Sequence, residues 1–561
     1  MANVDGHAPI DPQLSQQAAP ELTPAQLSRL QGYGRPMDVE VGDTVLRSGD
    51  AAYDLVVVER GAVDIVRAAT RDAPEEVITR HGAGRFVGEL NLLTGQTTYL
   101  TGRVVEAGRV WRISPERFRR LMAEDPELSD LLLRAFLARR NLLRGSEAAR
   151  SLEIIGNGMS ATSLALRTYA ARQQLPHMWF DSDSTAGQAL MTTAELTTQD
   201  LPAVLTPETM LRRVTPGELA EHLGLSYHRS ADQPVDLTVI GGGPAGLAAA
   251  VYGSSEGLAT VLLDAVGTGG QAAASSRIEN YLGFPSGISG GELAGKASLQ
   301  ALKFGAELSS PCEVVGLDTA GDQLRVALSD GTDIVSRAVI IASGASYRSL
   351  PIDRWSDFVG AGIYYAATEL EARACGEDPV TVVGGANSAG QAALYLAARG
   401  SQVTVAVRGA DLTAGMSTYL VDRLIAHPGI TVRVATEVIG LDGESTLEQV
   451  TLRTRADGPH EAQLCRGLFC FIGAAPATSW LTGVAVDEDG FVRTDSQLLP
   501  QDLGPAWTAL GRAPLPFETS VPGVFAAGDV RSGSMKRVAA AVGEGASSVR
   551  SVHQAIGARH V

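Results

Sequence analysis

The stretch DLTVIGGGPAGLAAAVYGSSEGLATVLLD (Asp236–Asp264) decides the fold of the C-terminal half of this chain. It begins with apolar and β-branched residues, as a buried parallel strand requires, and continues with three glycines at the spacing G-x-G-x-x-G. The first glycine permits a tight turn, the second lets the backbone approach a pyrophosphate, and the third lets a helix pack on the strand. The pattern predicts a strand, a phosphate-binding turn and a helix, with dinucleotide contacts at Gly241, Gly243, Pro244, Ala245, Gly246 and Asp264.

Asp264 ends the second predicted strand of this unit. A carboxylate at that place accepts a hydrogen bond from a ribose hydroxyl. The N-terminal amides of the helix that begins near Pro244 point at the phosphates. The alternative is a structural strand, turn and helix with incidental glycines. Because the strand, the helix and the acidic residue stand in register, the sequence favours a dinucleotide site.

A second unit of the same kind is VTVVGGANSAGQAALYLAARGSQVTVAVR (Val380–Arg408). Alanine replaces its middle glycine, and its second strand ends on an arginine rather than an acid. An arginine at that place accommodates a 2′-phosphate, whereas the alternative is a solvated surface charge. Two units predict two dinucleotides on one chain, FAD on the first and NADPH on the second. The NADPH contacts are predicted at Gly384, Ala386, Asn387, Ser388, Ala389 and Arg408.

Four segments resemble the low-molecular-weight thioredoxin reductases. They are GTGGQAAASSRIENYLGFPSGISGGELAGKASLQALKFGAEL (Gly267–Leu308), IIASGASYRSL (Ile340–Leu350), LFCFIGAAP (Leu468–Pro476) and VPGVFAAGDVRSGSMKRVAAAVGEGASSV (Val521–Val549). The resemblance covers roughly Val235 to the C-terminus. By analogy, it implies a homodimer whose two dinucleotide-binding domains swing to bring nicotinamide to flavin.

The resemblance also implies which residues contact the flavin. Asp529 would bond the ribityl chain, and Arg537 and Val538 would approach the pyrimidine edge of the isoalloxazine. A cation at that edge stabilises an anionic reduced flavin. The full set of implied flavin contacts outside the first glycine turn is Gly270, Gln271, Asn280, Gly344, Gly528, Asp529, Arg537 and Val538.

The chain departs from those reductases at their redox-active cysteine pair. Their Cys-x-x-Cys stands at the start of the nicotinamide domain, and the stretch GIYYAATELEARACGEDP has Ala366 and Glu369 at the two positions. A disulfide relay needs a thiolate of low pKa and a resolving partner, and this site has neither. Cys375 follows in a predicted loop. The other three cysteines are interpreted as buried packing residues, namely Cys312, Cys465 and Cys470.

Residues 26–145 predict a different domain, built of short strands punctuated by glycines and followed by helices. They resemble the cyclic nucleotide-binding β-roll, and Gly88–Leu90 matches its phosphate-binding cassette, in which Glu89 would meet a ribose hydroxyl. The cassette's phosphate-pairing arginine is replaced by the stretch Thr97–Tyr99, and the first arginine is Arg103. Without that cation the site loses its strongest charge-assisted contact, so weak or absent cyclic AMP binding is predicted. A structural β-roll, an unknown effector and a protein-contact role stay open.

Residues 151–225 resemble a glutaredoxin-like thioredoxin fold. Ser160 and Ser163 stand where that fold carries its two active-site thiols, and Pro202 matches its cis-proline. Because a serine hydroxyl is too weak an acid to act as a thiolate, the domain is interpreted as a redox-dead spacer or docking module. The alternative is an unrelated small α/β domain.

Composition favours a cytoplasmic enzyme. The chain has 561 residues, with 63 acidic against 46 basic side chains, so nucleic-acid binding is not expected. Its four cysteines cannot staple a chain of this length, which must rely on apolar cores. The sequence shows no membrane span and no signal peptide.

The predicted fold class is multidomain. We expect an N-terminal cyclic nucleotide-binding-like β-roll, a small α/β domain of thioredoxin-like fold, and two Rossmann-like three-layer α/β dinucleotide-binding domains. The predicted boundaries are a flexible N-terminus at 1–25, the β-roll at 26–145, the small domain at 151–225, a linker at 226–235, an FAD-binding domain at 236–352 and 479–561, and an NADPH-binding domain at 353–478.

The predicted function is an FAD-dependent oxidoreductase that takes hydride from NADPH and passes electrons to an unidentified protein or small-molecule acceptor. Orientation and electrostatics suffice for hydride transfer, so the sequence names no catalytic residue and no metal ligand. Two alternatives stay open. One is a thioredoxin-disulfide reductase that uses other thiols, and the other is a ligand or redox sensor with little turnover.

Overall fold

A computed structural model of the chain describes residues 12–558, apart from 51–52, 71–72, 145, 147–149, 159, 208, 227–233, 276–277, 279, 320, 322, 366, 368 and 456–457. Four folded regions follow one another along these residues, namely a β-roll with flanking helices, a small α/β domain and two larger α/β domains. This order confirms the predicted fold class. Most of the predicted linker, and position 366, lie outside the described residues.

The first region is an antiparallel sheet wrapped by helices. Its strands are β1 (Arg35–Val39), β2 (Thr44–Leu46), β3 (Leu55–Arg67), β4 (Glu76–His81), β5 (Arg85–Val87) and β6 (Thr101–Ile113), and its helices are α1 (Pro12–Ala18), α2 (Pro24–Tyr33), α3 (Asn91–Thr94), α4 (Pro115–Glu124) and α5 (Pro126–Arg144). The strands run in the order β1-β6-β3-β4, with β2 paired to β6 and β5 to β3. The long central strand β3 is buried along most of its length and forms the core of the roll.

The prediction of a flexible N-terminus is wrong in part. Residues 12–18 form α1, which packs on α5, and the Arg139 Nε donates to the Ala18 carbonyl oxygen at 2.6 Å. Alanine and glutamine make up most of this helix, and both are good helix formers. Residues 1–11 lie outside the described residues.

The second region is a small four-stranded sheet covered by three helices. Its elements are β7 (Glu153–Gly156), α6 (Ala161–Arg172), β8 (Met178–Asp181), α7 (Thr185–Thr193), β9 (Ala203–Leu205), β10 (Met210–Leu211) and α8 (Pro216–His222). The strand order is β10-β9-β7-β8, with only β7 and β8 parallel, which is the arrangement of the thioredoxin fold. Ser160 caps α6, and a cis peptide bond precedes Pro202.

The C-terminal half alternates strands and helices. Its elements are β11 (Val235–Ile240), α9 (Pro244–Ser255), β12 (Thr260–Leu263), α10 (Gly290–Lys303), β13 (Glu307–Ser309), β14 (Val314–Asp318), β15 (Leu324–Leu328), β16 (Asp333–Ile341), β17 (Ala345–Tyr347), α11 (Trp355–Phe358), β18 (Ile363–Tyr364), α12 (Glu369–Cys375), β19 (Val380–Val383), α13 (Asn387–Ala397), β20 (Val403–Ala406), α14 (Thr418–Ala426), β21 (Ile430–Arg433), β22 (Thr436–Asp442), β23 (Gln449–Thr454), β24 (His460–Leu464), β25 (Gly467–Cys470), β26 (Ala474–Pro476), α15 (Pro505–Leu510), β27 (Val524–Ala526) and α16 (Val538–Ala558).

These elements form two open parallel sheets. In the first, β13, β12, β11, β16 and β27 are parallel neighbours, and the hairpin β14-β15 continues the sheet beside β16. In the second, the all-parallel order is β18-β25-β19-β20-β21, with an antiparallel sheet β22-β23-β24 alongside. Each glycine turn therefore lies at the carboxyl end of a central strand, where open α/β sheets bind their ligands.

Two chain crossings connect the larger domains. They run side by side as β17 and β26, with Ala345 opposite Pro476 and Tyr347 opposite Ala474. One domain is thus inserted into the other, and its two ends leave at the same place. The exact domain boundaries stay a prediction.

The small domain shares a hydrophobic core with its neighbours. One cluster of buried side chains contains Phe136 of the β-roll region, Tyr169 of α6 and Leu299 of α10, which come from three different regions. The small domain is therefore packed between the β-roll and the first large α/β domain rather than tethered beside them.

No described helix has the length and apolarity needed to cross a bilayer. Within the same residues, no cluster of three or more histidine, cysteine or acidic side chains is placed to hold a metal ion.

Candidate functional site

The first glycine turn needs glycine at two positions for steric reasons. Gly241 has a φ of 109°, and a Cβ there would overlap the carbonyl oxygen of Ala342. A Cβ on Gly246 would overlap the carbonyl oxygen of Gly241. The first and third glycines thus have the predicted roles in the turn and in helix packing.

The middle glycine of this turn faces open space. Gly243 is the N-cap of α9, and the nearest heavy atom to a Cβ built on it is the Gly270 Cα, 4.0 Å away. Pro244 opens the helix and Ala245 is buried beneath it. A bare backbone at the N-terminus of a twelve-residue helix suits a pyrophosphate, so the turn fits the diphosphate of FAD.

Asp264 holds the glycine turn together. Its Oδ2 accepts from the Gly242 amide at 2.7 Å, and its Oδ1 accepts from the amides of Val266 and Gly267 at 2.9 and 2.7 Å. A carboxylate has about four acceptor positions, so capacity remains for the predicted ribose hydroxyl. This structural role is not evident from the sequence, because it depends on how the following loop returns to the turn.

The loop after β12 reaches the crossing between the large domains. Gly270 has a φ of 53° and approaches Gly243, while the Gln271 Nε2 donates to the carbonyl oxygen of Ala345 next to Gly344. Gly344 has a φ of 70° and open space around it. Gly270 therefore lies beside the glycine turn and Gln271 beside the crossing, and the side chains of Gln271 and Asn280 are both exposed. Contact of these residues with the flavin stays a prediction.

The C-terminal segment brings Gly528 and Asp529 beside the same turn. A Cβ on Gly528 would lie 2.8 Å from the Ala245 Cβ, so the two glycine-containing segments are in contact. Asp529 is half-buried, and burial raises the pKa of its carboxyl. Arg537 is exposed and Val538 begins α16 immediately after it.

Glu544 is a residue that the sequence analysis missed. Its Oε2 accepts from the Gly528 amide at 2.7 Å, and its Oε1 lies 2.7 Å from the Arg531 Nη2. The side chain therefore orders the Gly528 turn from α16. A signal existed, because Glu544 is the single acidic residue in the run VAAAVGEGASSVRSVHQAIGA of that helix.

The second glycine turn is open to solvent. Gly384 has a φ of 144°, and a Cβ there would lie 2.5 Å from the Phe471 carbonyl oxygen. Ala386 is the N-cap of α13 and is exposed together with Asn387 and Ser388, whereas Ala389 is buried under the turn. The Asn387 Oδ1 accepts from the Ser417 amide at 2.8 Å. This exposed helix N-terminus fits the diphosphate of a second dinucleotide.

Arg408 follows β20, at the carboxyl end of the strand after the second turn. Its side chain is exposed, and no hydrogen bond or ion pair within the described part of the chain engages its guanidinium. By contrast, the nearby Arg433 is paired with Glu461. The Arg408 guanidinium is thus available to an anionic group of a bound dinucleotide.

The cysteines are not placed for thiol chemistry. Cys375 is the last residue of α12 and is buried, so its predicted position in a loop is wrong. Burial raises the pKa of the Cys375 thiol to about 12 and those of Cys465 and Cys470 to about 11. Cys312 is half-buried rather than buried, and burial raises the pKa of its thiol to about 11 as well. At neutral pH these thiols stay protonated and are poor nucleophiles.

The β-roll cassette has its polar groups committed within the protein. The Glu89 carboxylate is paired with Arg140 of α5, and the Thr98 Oγ1 donates to the Arg47 carbonyl oxygen. Arg103, the first arginine after the cassette, is in β6 and pairs with Glu75 at 3.0 Å. The first arginine after the cassette therefore has a carboxylate partner of its own, and Thr98 itself carries no charge.

Comparisons with known proteins agree with this architecture. Residues 235–545, more than half of the chain, match the family described as pyridine nucleotide-disulphide oxidoreductase. Residues 36–125 match the cyclic nucleotide-binding domain. The N-terminal region is therefore a cyclic nucleotide-binding-like domain.

Several relatives of the C-terminal half are named thioredoxin reductases. That of Treponema pallidum is 31% identical over 311 residues, which are 55% of this chain and 94% of the relative. That of Bacillus subtilis is 32% identical over 330 residues, which are 58% of this chain and 95% of the relative. The crystal structure of Lactococcus lactis thioredoxin reductase in the FR conformation has a TM-score of 0.50 at 27% identity, covering 57% of this chain and 99% of that chain.

The two glycine turns and these matches lead to one conclusion. The C-terminal half is a flavoprotein oxidoreductase whose cofactors are FAD and a pyridine nucleotide. This chain belongs to the pyridine nucleotide-disulphide oxidoreductase family.

Proposed function

We propose that this protein oxidises NADPH and delivers the electrons from its flavin to an acceptor without a thiol relay of its own. The observation that carries the proposal is the pairing of two glycine turns. The turn around Gly243 has room for a diphosphate, and the second turn is followed by Arg408, whose guanidinium has no partner among the described residues. When bound, FAD supplies the chemistry of accepting a hydride and releasing electrons.

The first socket would hold FAD through backbone and carboxylate groups. The Gly243–Gly246 turn would receive the diphosphate, and the remaining acceptor position of Asp264 would take a ribose hydroxyl. Asp529 would accept from the ribityl chain, and Arg537 would approach the isoalloxazine edge. Glu544 keeps the Gly528 amide oriented and thereby positions Asp529.

The second socket would select NADPH over NADH through charge. The exposed N-terminus of α13 would receive the diphosphate, and Arg408 would pair with the 2′-phosphate. The proposed FAD-binding domain spans 236–352 and 479–561, and the proposed NADPH-binding domain spans 353–478.

The acceptor is proposed to be a protein or small molecule that reaches the flavin directly. Relatives named thioredoxin reductases make a thioredoxin-like acceptor the second candidate. The raised pKa values of all four thiols argue against a disulfide relay through them. The four free cysteines also support a reducing, cytoplasmic compartment.

A homodimer is proposed from the resemblance and from one exposed apolar patch. Leu282 is 95% exposed, and the neighbouring rings of Tyr281 and Phe284 stack with centroids 6.1 Å apart. Together these three side chains form a contiguous apolar patch, and contiguous exposed apolar patches mark interaction sites. Light scattering at micromolar concentration would measure the mass of the assembly, and a monomer would contradict the proposal.

The experiment that tests the function is anaerobic mixing of the purified holoprotein with NADPH. Fast loss of the flavin absorbance is expected, followed by recovery when a suitable acceptor is added. The acceptors are a low-molecular-weight disulfide, thioredoxin, ferredoxin, a quinone and dioxygen. Slow or absent bleaching would favour a sensor with little turnover, and rapid turnover with thioredoxin that depends on a cysteine of this chain would contradict the proposed direct transfer.

A further inference from the structure

Arg172, the last residue of α6 in the small domain, contacts the loop beside the first glycine turn. The Nη1 of Arg172 donates to the Gly267 carbonyl oxygen and its Nη2 to the Gly270 carbonyl oxygen, each at 3.4 Å. Gly267–Gly270 is the loop that follows Asp264 and lies against the first glycine turn. Arg172 itself lies outside the segments 36–125 and 235–545 that match known families. A residue of an unrelated domain thus contacts the loop that shapes the FAD socket.

The loop is held between Arg172 and the glycine turn. A Cβ built on Gly267 would lie 3.1 Å from the Arg172 Cβ, so the aliphatic part of the arginine covers this buried glycine. On the other side, a Cβ on Gly270 would lie 2.9 Å from the Gly243 Cα, and the Gly269 amide donates to the Gly242 carbonyl oxygen at 2.6 Å. A displacement of Arg172 would therefore change the position of Gly243 through this loop.

Two more hydrogen bonds hold the end of α6 against the first large α/β domain. The hydroxyl of the buried Tyr169 donates to the Ser310 carbonyl oxygen at 3.2 Å, and the Gln173 Nε2 donates to the Ser310 Oγ at 2.5 Å. Ser310 follows β13, and the next residue but one, Cys312, donates its amide to the Asp264 carbonyl oxygen at 2.7 Å. Tyr169 and Gln173 lie on either side of Arg172 in the chain, and both are hydrogen-bonded to Ser310. The Arg172 backbone is therefore already ordered, and its contact with the loop costs little additional conformational entropy.

The charge of Arg172 extends to the crossing between the large domains. Burial raises the pKa of Tyr347 to about 12, and Arg172 counteracts that rise whereas Asp529 adds to it. Arg172 and the predicted ribityl residue Asp529 therefore both act on one side chain of β17. This places the guanidinium within electrostatic reach of the site that the flavin would occupy.

We propose that Arg172 is a positioning residue of the FAD site, supplied by the small thioredoxin-like domain. In a planar trans peptide the carbonyl and the following N–H point in opposite directions. By binding the carbonyls of Gly267 and Gly270, Arg172 keeps the amides of Thr268 and Gln271 turned away from itself and adds positive charge near an anionic cofactor. The small domain is then a structural part of the flavin site rather than a spacer.

The test compares three substitutions in the full-length protein. Arg172→Gln and Arg172→Lys both keep an aliphatic chain over Gly267, but only lysine keeps the charge. Apoprotein is titrated with FAD, and the Kd and the visible circular dichroism of the bound flavin are recorded. We expect roughly a tenfold rise in Kd for Arg172→Gln, a larger rise for Arg172→Ala, and partial recovery with Arg172→Lys.

The matched control is Arg212→Ala, which removes an exposed arginine of the same domain that is paired with Asp200 and not with the flavin domain. It should bind FAD as the unmodified protein does. If Arg172→Gln binds FAD with unchanged Kd and an unchanged flavin spectrum, the proposal is wrong. Equal losses for the glutamine and lysine variants would also overturn it, because a purely packing role does not distinguish charge. These readouts use the oxidised flavin alone, so they stay separate from any failure of the proposed NADPH oxidation.

Discussion

The buried Arg140 and the half-buried Glu89 form an ion pair in the N-terminal domain. The Arg140 Nη2 lies 2.7 Å from the Glu89 Oε2, and the arginine side chain is only 1% exposed. The same guanidinium donates to the Asn91 Oδ1 at 2.5 Å and to the Gln174 carbonyl oxygen at 3.3 Å. Arg140 thus connects the cassette of the β-roll to the end of α6 in the small domain.

This pair predicts that cyclic AMP does not bind with appreciable affinity. The glutamate expected at a ribose hydroxyl is already engaged, and Thr98 offers no positive charge to a cyclic phosphate. Bidentate charge-assisted bonds supply much of the affinity at phosphate sites, so their loss leaves little. Isothermal titration calorimetry on the full-length protein should show no heat of binding up to millimolar ligand. Micromolar affinity would mean that another cation recognises the phosphate.

The pair also predicts a strong dependence of stability on Arg140. Burial is the largest influence and lowers the pKa of Arg140, but the charge and hydrogen bond of Glu89, together with Tyr99 and Tyr53, outweigh it and raise the pKa. Arg140→Met would leave the half-buried Glu89 carboxylate with the Asn91 amide as a donor but without its cation, at a cost of up to about 3 kcal/mol in the free energy of unfolding. Urea unfolding followed by circular dichroism measures it. Arg120→Ala, which breaks the exposed pair with Glu124, is the control and should change little.

Arg408 is expected to set the preference between the pyridine nucleotides. Its guanidinium has no partner within the described ranges and would make charge-assisted bonds to the 2′-phosphate, each worth about 1.5–3 kcal/mol. Arg408→Ala should therefore reduce the ratio of kcat/KM for NADPH over NADH by roughly tenfold or more. The measurement is steady-state kinetics with both nucleotides. Arg423→Ala, an exposed arginine on α14 of the same domain, should leave the ratio unchanged, and an unchanged ratio for Arg408→Ala would refute the assignment.

Gly243 is expected to be needed for the cofactor and not for the fold. The nearest heavy atom to a Cβ at this position is 4.0 Å away, so the apoprotein can accommodate Gly243→Ala. The added methyl would occupy space that the pyrophosphate needs, and FAD affinity should fall by roughly tenfold or more. Flavin absorbance per protein and thermal unfolding of the apoprotein are the two measurements. Gly557→Ala, with no heavy atom within 4 Å of its Cβ, is the control. A Gly243→Ala protein that binds a full equivalent of FAD would contradict the placement of the diphosphate.

The thiols are expected to be inert in the folded protein. Their pKa values, about 11 for Cys465 and about 12 for Cys375, exceed the ordinary value of 9.0 because of burial. A rise of two units lowers the thiolate fraction roughly 100-fold, so alkylation by iodoacetamide at pH 8 should be slower than in urea by about that factor.

The same pKa values predict the effect of alkaline pH on stability. The folded protein retains thiol protons that the unfolded chain loses above pH 9. This contribution to stability is therefore complete below pH 9 and is lost as the pH rises towards 11.

Cys375→Ser should retain full activity with any acceptor. Loss of disulfide turnover in that variant would instead establish Cys375 as a redox centre.

Much of the cofactor chemistry was predictable from short stretches of chain. Gly241, Gly243 and Gly246 act through their own backbone conformation and the turn they share, so their spacing alone indicates their roles. The replacement at Glu369 is likewise visible without coordinates. The predicted loop at Cys375 was wrong because the polar residues and the glycine that follow it are typical of a loop. In the structure α12 ends at Cys375, and the thiol is buried in the core of the second sheet.

The amino-acid sequence by itself determined two dinucleotide turns, an acid at the end of one and an arginine at the end of the other, and the absence of the Cys-x-x-Cys pair. These are properties of residue type and spacing over a few tens of residues. Only the tertiary structure decided that Arg140 meets Glu89 across 51 residues of chain and that Arg172 meets Gly270 across 98. Such contacts depend on how separately folded regions pack against one another, and no local pattern of residues specifies that packing.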